Sequence, residues 1–501
     1  MKSRAWLWSI AIVLCAMVAL SSQLNAQNNP QHHPRHHQYK LYDVGTFGGP
    51  NAWGSGDAIS LTPAGLVGTA DTPATDPFCF YDCYVMHGFL WRNGHLTDLG
   101  TLPGNHGGNS SGAFAINNSG LIVGTSENGR TDLATGYPST SPVAWLNGHI
   151  FNLGGFGGTQ GVAYMVNNRG QIVGIANNTT PDDFAISPWG PFPSTTQAHA
   201  FVWENGWMRD LGTLGGPDTL AGLISDSGYV AGQSLISFTP TCPDSTGIPT
   251  PEPFLWDGRR MIDLGNFGGT CGGWPTWVNN KGQVVGLSYI PDNSKVHAFL
   301  WDHGRLTDIG TSTAVASGAY WINEAGTITG FNYAPGPGNA GAALWKHGTI
   351  TILGILPGYD CASEGYSVND ADQVVGSGYP CDDSPLHGFL WEDGDLVDLN
   401  DLIQPPADIT VTHTWLIDNR GNILTDGVDA DGNNHAVVLV PNGYCDWLCE
   451  QRIEQSRNNP HTAQPATTGT TKPRFGKPAD WLRNPFRPRW GLMTSRAVPA
   501  N

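Results

Sequence analysis

The sequence predicts an all-β fold, an eight-bladed β-propeller of four-stranded antiparallel blades closed by strands from both termini. Three observations carry this reading. Four short phrases recur in fixed order along about 400 residues. Each phrase is rich in Val, Ile, Phe, Trp and Leu and bounded by Gly or Asn, as strands are. The first repeat material is a lone fourth strand, "YDVGTFGG" from Tyr42, while the last repeat stops after its third, "HAVVLVPNG" from His435. A blade shared between the two ends closes a ring and leaves no free sheet edge. A solenoid would leave open edges needing caps, and none is visible.

Before the repeats, Lys2 and Arg4 precede an apolar run over 6–20 and the polar "SSQLNAQ". That order is a secretory signal peptide, residues 1–26, cleaved near Ala26. The run is shorter than the roughly 20 apolar residues of a spanning helix, so no transmembrane segment is expected. Residues 27–39 include "HHPRHH" from His32 and read as a polar, flexible leader, although such a cluster also suits a soft divalent metal.

Residues 40–441 hold the repeats. The first strand is the phrase ending in Asn or Asp ("AFAINNSG" from Ala113, "AYMVNNRG" from Ala163), followed at once by "LIVG", "QIVG" or "QVVG" as the second. "HAFLW" and its variants form the third, peaking at Trp91, Trp145, Trp203, Trp256, Trp301, Trp345 and Trp391, and "DLGTLGG" and its variants the fourth. "NNSG" turns join the first two strands and "RNG", "ENG" or "EDG" turns the last two, in keeping with the positive φ that tight hairpins demand. No segment between 41 and 440 sustains a helical period. A meander places all these turns on one face of the ring. The connections after "IVG" and the Gly-rich "GTLGG" links lie on the other.

These phrases resemble the HAF-type extracellular repeat family of bacteria over roughly 41–440, and the Gly-Gly doublet after one strand is similar to kelch repeats. The doublet is missing from "DIGTSTA" and "DLNDLIQ". The resemblance implies secretion and a repeated β fold. It brings no activity and no catalytic residues.

Residues repeated in nearly every blade make poor candidates for a unique site. His87, His199, His297, His387 and His435, with Asp98, Asp210, Asp263, Asp308 and Asp398, read as strand-end hydrogen-bonding groups tying blades together. The recurring Trp residues read as packing between sheets. Function is sought where copies differ. The loops after "IVG" are long in the first four copies, over 69–86, 126–141, 177–198 and 235–252, and short in the fifth to seventh. Two of them combine aromatics with carboxylates: Asp76, Phe78, Tyr81 and Tyr84 in one, Asp182, Asp183, Trp189 and Phe192 in the other. Aromatic faces stacking on sugar rings, with carboxylates accepting from hydroxyls, would make a glycan platform. The plainer reading is a set of small local cores under the loops.

No nucleophile elbow, zinc-protease, phosphate-loop or Asp-box motif occurs. Paired acids such as Asp182 and Asp183 would suit a glycosidase, which needs two carboxyl groups about 5 to 10 Å apart, yet 38 Asp plus Glu lie between 41 and 440 and chance pairs are expected. "DGVDADGNNH" places Asp426, Asp429, Asp431 and Asn433 as oxygen ligands for Ca2+, without the glutamate that closes an EF-hand loop. No cofactor is required by this reading, and Ca2+ is the one suggested.

The body carries 11 Lys plus Arg against those 38 acids, so it repels polyanions and nucleic acid is no partner. Eight cysteines follow the signal, in near neighbours Cys79 and Cys83, Cys242 and Cys271, Cys361 and Cys381, Cys445 and Cys449. An even count in an exported chain suits disulfides, and these local pairs are the expected ones among 105 possible pairings. Residues 442–501 turn basic and Pro-rich, as in "KPRFGKPADWLRNPFRPRW" from Lys472, and read as a mostly disordered tail. The sequence thus points to a secreted, periplasmic or cell-surface propeller that is not an enzyme and binds an extracellular glycan or protein on the long-loop face of its first four blades. A polysaccharide hydrolase or lyase and a structural envelope protein without ligand are the alternatives. The oligomeric state stays open.

Overall fold

A computed structural model describes residues 36–458 apart from 55–59, 79–82, 105–109, 183, 185–193, 243–248, 336–339, 360, 382–383 and 446. The chain forms eight antiparallel sheets in sequence order, as the repeats require. Blade 1 spans residues 52–98, blade 2 111–152, blade 3 161–210, blade 4 219–263, blade 5 273–308, blade 6 316–354 and blade 7 362–398. In blade 8, residues 410–444 supply three strands and the N-terminal strand β1 (His37–Asp43) the fourth, paired antiparallel with Asn434–Tyr444 from Lys40↔Val440 to Asp43↔Val437. The ring is closed as the split repeat predicts. From blade 2 to blade 8 the first strands of successive blades touch one another, which places them around the axis.

One defect recurs at that inner edge. The first strand is bulged in blades 2 to 7, leaving Phe114, Tyr164, Gly222, Thr276, Tyr320 and Tyr366 outside the ladder. The bulge explains the glycine of "IVG". A Cβ on Gly124 would lie 1.9 Å from the Gly112 carbonyl oxygen, and one on Gly376 1.9 Å from that of Glu364. No side chain fits under so close an approach. Blade 8 carries Thr425 at the matching position and has two ladder shifts instead of one.

The apolar core lies between sheets. Phe89, Phe201, Phe254, Phe299 and Phe389, all from the third strands, are fully buried, and Trp145, Trp256, Trp301 and Trp345 nearly so. One cluster runs from Ala115 through Phe201 and Phe254 to Trp301 and so spans blades 2 to 5. The third-to-fourth strand hairpins turn through Asn93, Asn147 and Asn205 at φ 52, 52 and 53°, each followed by Gly, which are the left-handed turns the Asn-Gly pairs predict.

The long loops are less loop-like than the sequence suggests. Strands Gly65–Thr75, Ile122–Thr131 and Ile172–Pro181 run on past "IVG" and pair with Tyr84–Arg92, Pro138–Leu146 and Thr196–Glu204. In each, four residues of the second strand span two of the third, as in Asp71↔Met86 followed by Thr75↔Tyr84. Their Thr-rich stretches favour extended backbone, and Asn128 and Asn178 accept from the N–H groups of Arg130 and Thr180 to absorb the extra residues.

Both ends of the fold reach further than expected. The supposed flexible leader is already ordered at His36, which is 1 % exposed, with its Nε2 3.3 Å from Asp395. The His37 N–H donates to Glu392 at 2.8 Å, and its ring Nδ1 lies 2.8 Å from the same carboxylate. These donors hold the Glu392 carboxyl well below its usual range despite burial. After blade 8 a helix, Trp447–Asn458, lays Cys449 and Ile453 against Tyr39, Leu402 and Ile403, and the Arg452 guanidinium donates to the Asp401 carbonyl. The beginning of the basic tail is therefore a packed element, because this segment precedes the prolines. Disulfides join Cys242 to Cys271, Cys361 to Cys381 and Cys445 to Cys449, as the spacing suggests. Cys83 is also disulfide-bonded, and Cys79 lies outside the described residues.

Candidate ligand site at the channel mouth

The repeated His and Asp are skeletal, but they clasp strands of one blade rather than one blade to the next. His87 Nδ1 lies 2.8 Å from Asp98 Oδ2, His199 2.8 Å from Asp210, His297 2.7 Å from Asp308 and His387 2.6 Å from Asp398. Each pair bridges the third and fourth strands, because the antiparallel register pairs position 3 of "HAFLW" with the Asp of "DLG" and the His two residues earlier lies on the same face. In blade 8 the same clasp, His435 to Asp43 at 3.1 Å, joins the two ends of the chain. Burial opposes ionisation of Asp98 and Asp210. The His hydrogen bond and the N–H of Gly100 or Gly212 outweigh it and hold both carboxyls below the usual range.

The blades are tied together by the Asn that follows the first strand in blades 2, 3, 5, 6 and 7. Asn117 Nδ2 donates to the Asn167 carbonyl at 3.0 Å, Asn167 to that of Ser225 at 3.0 Å, Asn279 to that of Asn323 at 3.3 Å, Asn323 to that of Asn369 at 3.2 Å and Asn369 to that of Asp418 at 3.1 Å. Thr62, Ser225 and Asp418 hold this place in blades 1, 4 and 8. The next residue forms a second belt. The Asn118 N–H donates to Asn168 Oδ1, the Asn168 N–H to Asp226, the Asn280 N–H to Glu324 and the Asp370 N–H to Asn419.

These belts ring the axis on the tight-turn face and enclose a cavity of about 340 Å³. Asp226, Glu324 and Asp418, the asparagines Asn118, Asn168, Asn280 and Asn419, Arg420 and Trp277 are among the residues that line it. Trp277 is fixed by stacking on Trp321, ring centroids 4.1 Å apart. Acceptors, donors and one aromatic converge from several blades, an arrangement suited to orienting a small polar ligand. Sequence reasoning missed this face because its residues read as turn formers. The one available signal was variation after the Asn: Pro63, Asn118, Asn168, Asp226, Asn280, Glu324, Asp370 and Asn419.

On the long-loop face, Tyr81, Asp183, Trp189 and Phe192 lie outside the described residues. Asp76 accepts from the Phe78 N–H at 2.8 Å, its carboxyl is pushed up by burial, and Phe78 and Tyr84 are half-buried. Asp76 faces Glu127 of the next blade, whose carboxyl burial pushes up to about 7, the Asp76 charge adding to it. Asp182 meets Asp218, at the start of blade 4. Blade 4 puts Glu252 where others have His, so Glu252 faces Asp263, and burial with this second acid raises its carboxyl.

The four proposed Ca2+ ligands do not converge. Asp426 is buried and takes a 2.7 Å hydrogen bond from Trp415 Nε1, with burial pushing its carboxyl up to about 7. Asp429 spends its oxygens inside the turn, accepting from the N–H groups of Asp431 and Asn433 and from Asn433 Nδ2. Asp431 is exposed. Among the described residues no three His, Cys, Asp or Glu side chains gather as a metal site.

The most asymmetric polar cluster lies between blades 6 and 7. Glu364, 2 % exposed, accepts from Tyr320 Oη at 3.0 Å, Tyr333 Oη at 3.1 Å and Tyr366 Oη at 3.2 Å. Tyr366 also bonds Tyr379. Burial, with the neighbouring carboxylate and hydroxyls, raises the hydroxyls of Tyr333 and Tyr366 well above their usual range, so they stay donors. A carboxylate so buried and so fully donated to is a latch between blades, not a reagent. Its signal was legible: Glu364 stands where other copies have Gly112, Val162, Leu220, Trp274 and Gly318.

No protein-family model matches the chain, and no curated protein matches it. Among solved structures, a puromycin-hydrolyzing peptidase of Mycobacterium tuberculosis is similar at 13 % identity and TM-score 0.41, covering 80 % of this chain and 55 % of that one. The acylaminoacyl peptidase of Pyrococcus horikoshii is similar at 12 % and 0.38, covering 67 % and 52 %. The Trypanosoma rangeli sialidase is similar at 10 % and 0.28, covering 79 % and 61 %. The chain thus spans a little over half the length of the peptidases. Likeness at this level concerns the fold and carries no activity.

Proposed function

We propose that the chain is an exported, non-catalytic β-propeller of the HAF repeat type that binds the end of a neutral extracellular glycan in the channel mouth on the tight-turn face. The observation that supports it most is the 340 Å³ cavity, where Asp226, Glu324 and four Asn carboxamides converge beside Trp277. Carboxylates accept and carboxamides donate to sugar hydroxyls, the indole edge meets the apolar side of a ring, and the volume lies within the range of small-ligand pockets. The acidic rim disfavours uronic or sialic acid termini by charge repulsion. Export rests on the charged, then apolar N-terminus, and the disulfides accord with an oxidising compartment. Among the described residues no helix is long and apolar enough to cross a membrane.

A glycan array of the chain lacking residues 1–26 tests this. Asp226→Asn with Glu324→Gln keeps one acceptor oxygen at each belt position and removes the charge, and should weaken binding of neutral glycans about tenfold, as losing charged hydrogen bonds does. Tyr84→Ala, on the opposite face, should leave it unchanged. The reverse pattern would move the site to the long-loop face, release of product from a bound polysaccharide would favour the hydrolase alternative, and binding of nothing on the array would overturn the glycan reading.

A further inference from the structure

Three buried oxygens on the opposite face have no donor. Asp218 is 1 % exposed. Its Oδ1 accepts from the Ala198 N–H at 2.8 Å, and its Oδ2 has no partner. Asp182 uses Oδ1 on the Phe184 N–H at 3.1 Å, and its Oδ2 likewise has no partner. Asn177, 1 % exposed, gives its Nδ2 to Ser194 Oγ at 2.6 Å and to the Thr196 carbonyl at 2.7 Å, which leaves Oδ1 unpartnered.

All three residues are anchored on one short stretch of blade 3, Asp182 by its backbone and the other two by their side chains. The Asp182 N–H donates to the Thr195 carbonyl, Asn177 holds that of Thr196, and Asp218 holds the N–H of Ala198. The carboxyl groups of Asp182 and Asp218 are neighbours within hydrogen-bond reach. Buried acceptors without donors are costly, about 1 to 3 kcal/mol each and more when charged. A single proton shared between the carboxylates would satisfy two of the oxygens and leave the carboxamide oxygen of Asn177 unmatched. A hard cation would satisfy all three, because Ca2+ takes six to eight oxygen ligands of mixed carboxylate, carboxamide and water origin.

We propose that Asp182, Asp218 and Asn177 form a Ca2+ site pinning the extended hairpin of blade 3 to the start of blade 4. Two carboxylates balance the double charge, and the third ligand is an amide rather than an acid. The site is separate from the "DGVDADGNNH" turn, where Asp429 Oδ1 accepts from the N–H groups of Asp431 and Asn433 and Oδ2 from Asn433 Nδ2.

The test is Ca2+ calorimetry and Tb3+ luminescence on the chelator-treated full chain at pH 7.5. One Ca2+ per chain is expected, weakened at least about tenfold in Asp218→Asn and in Asp182→Asn, and unchanged in Asp429→Asn. Two variants are used so that misfolding of one, read by circular dichroism, does not decide the matter. Absence of Ca2+ binding by the parent chain, full binding retained in both Asp→Asn variants, or loss in Asp429→Asn with retention in Asp218→Asn would each overturn the assignment.

Discussion

Asn167 shows how one side chain serves two scales. Its Oδ1 accepts from the N–H groups of Arg169 and Gln171 and shapes the turn after the first strand of blade 3. Its Nδ2 crosses to the Ser225 carbonyl of blade 4. The turn role is readable in "VNNRG", since Asn and Gly punctuate turns. The crossing is not, because its partner is a backbone carbonyl 58 positions away. Asn167→Asp separates the two roles by keeping the acceptor and removing the donor. It should lower stability by about 0.5 to 1.5 kcal/mol in urea unfolding, the net loss of one hydrogen bond, since the Ser225 carbonyl keeps the Gly228 N–H. A change below about 0.5 kcal/mol would show that the belt adds nothing to the ring.

At the scale of the element, the decisive strand is His37–Asp43. It covers the edge of Asn434–Tyr444 and places Tyr39 fully buried beside Val437 and Leu439. Deleting residues 27–43 should expose that edge and the cluster under it, giving a chain that aggregates by size-exclusion chromatography and melts without cooperativity. A synthetic peptide spanning 36–45, added in trans, should restore a monodisperse species. A deletion variant that melts like its parent would show that blade 8 stands on three strands. The pairing itself was legible in the split repeat, whereas the start of the strand was not. His36 and His37 belong to a His-rich run that looks polar and free until Glu392 and Asp395 come into reach.

For the whole molecule, the pattern of titrating groups sets the pH dependence of stability. Burial raises Glu127 and Asp426 to about 7 and raises Asp218 and Glu252 as well. Such groups bind protons in the folded state that the unfolded chain has already released, so the stability they contribute is full at low pH and is lost as pH rises through their folded values. His37 and His387, raised by Glu392 and, against burial, by Asp398, act in the same direction. Glu392, Asp98, Asp210 and Asp398 are depressed, and their contribution is lost as pH falls below the ordinary carboxyl range. Thermal melts in chelator from pH 4 to 9 should therefore peak near about pH 5 and decline toward pH 8. Glu127→Gln with Glu252→Gln should flatten the alkaline side, and a parent curve that rises from pH 5 to 8 would contradict this balance.

The repeats alone determined the strand order within a blade and the tight hairpins, and they pointed to eight blades, to the closure of the ring and to the local cysteine pairs, three of which are now seen as disulfides. Each follows from local periodicity, turn chemistry or the obligation to bury sheet edges, and these are carried by neighbouring residues. Tertiary structure decided that the His and Asp clasp strands while the Asn clasp blades, that "IVG" needs its glycine under a bulged carbonyl, and that Asp182 meets Asp218. It also placed the cavity on the turn face. All of these depend on which groups from separate blades converge across the ring, and a linear pattern holds no record of that distance.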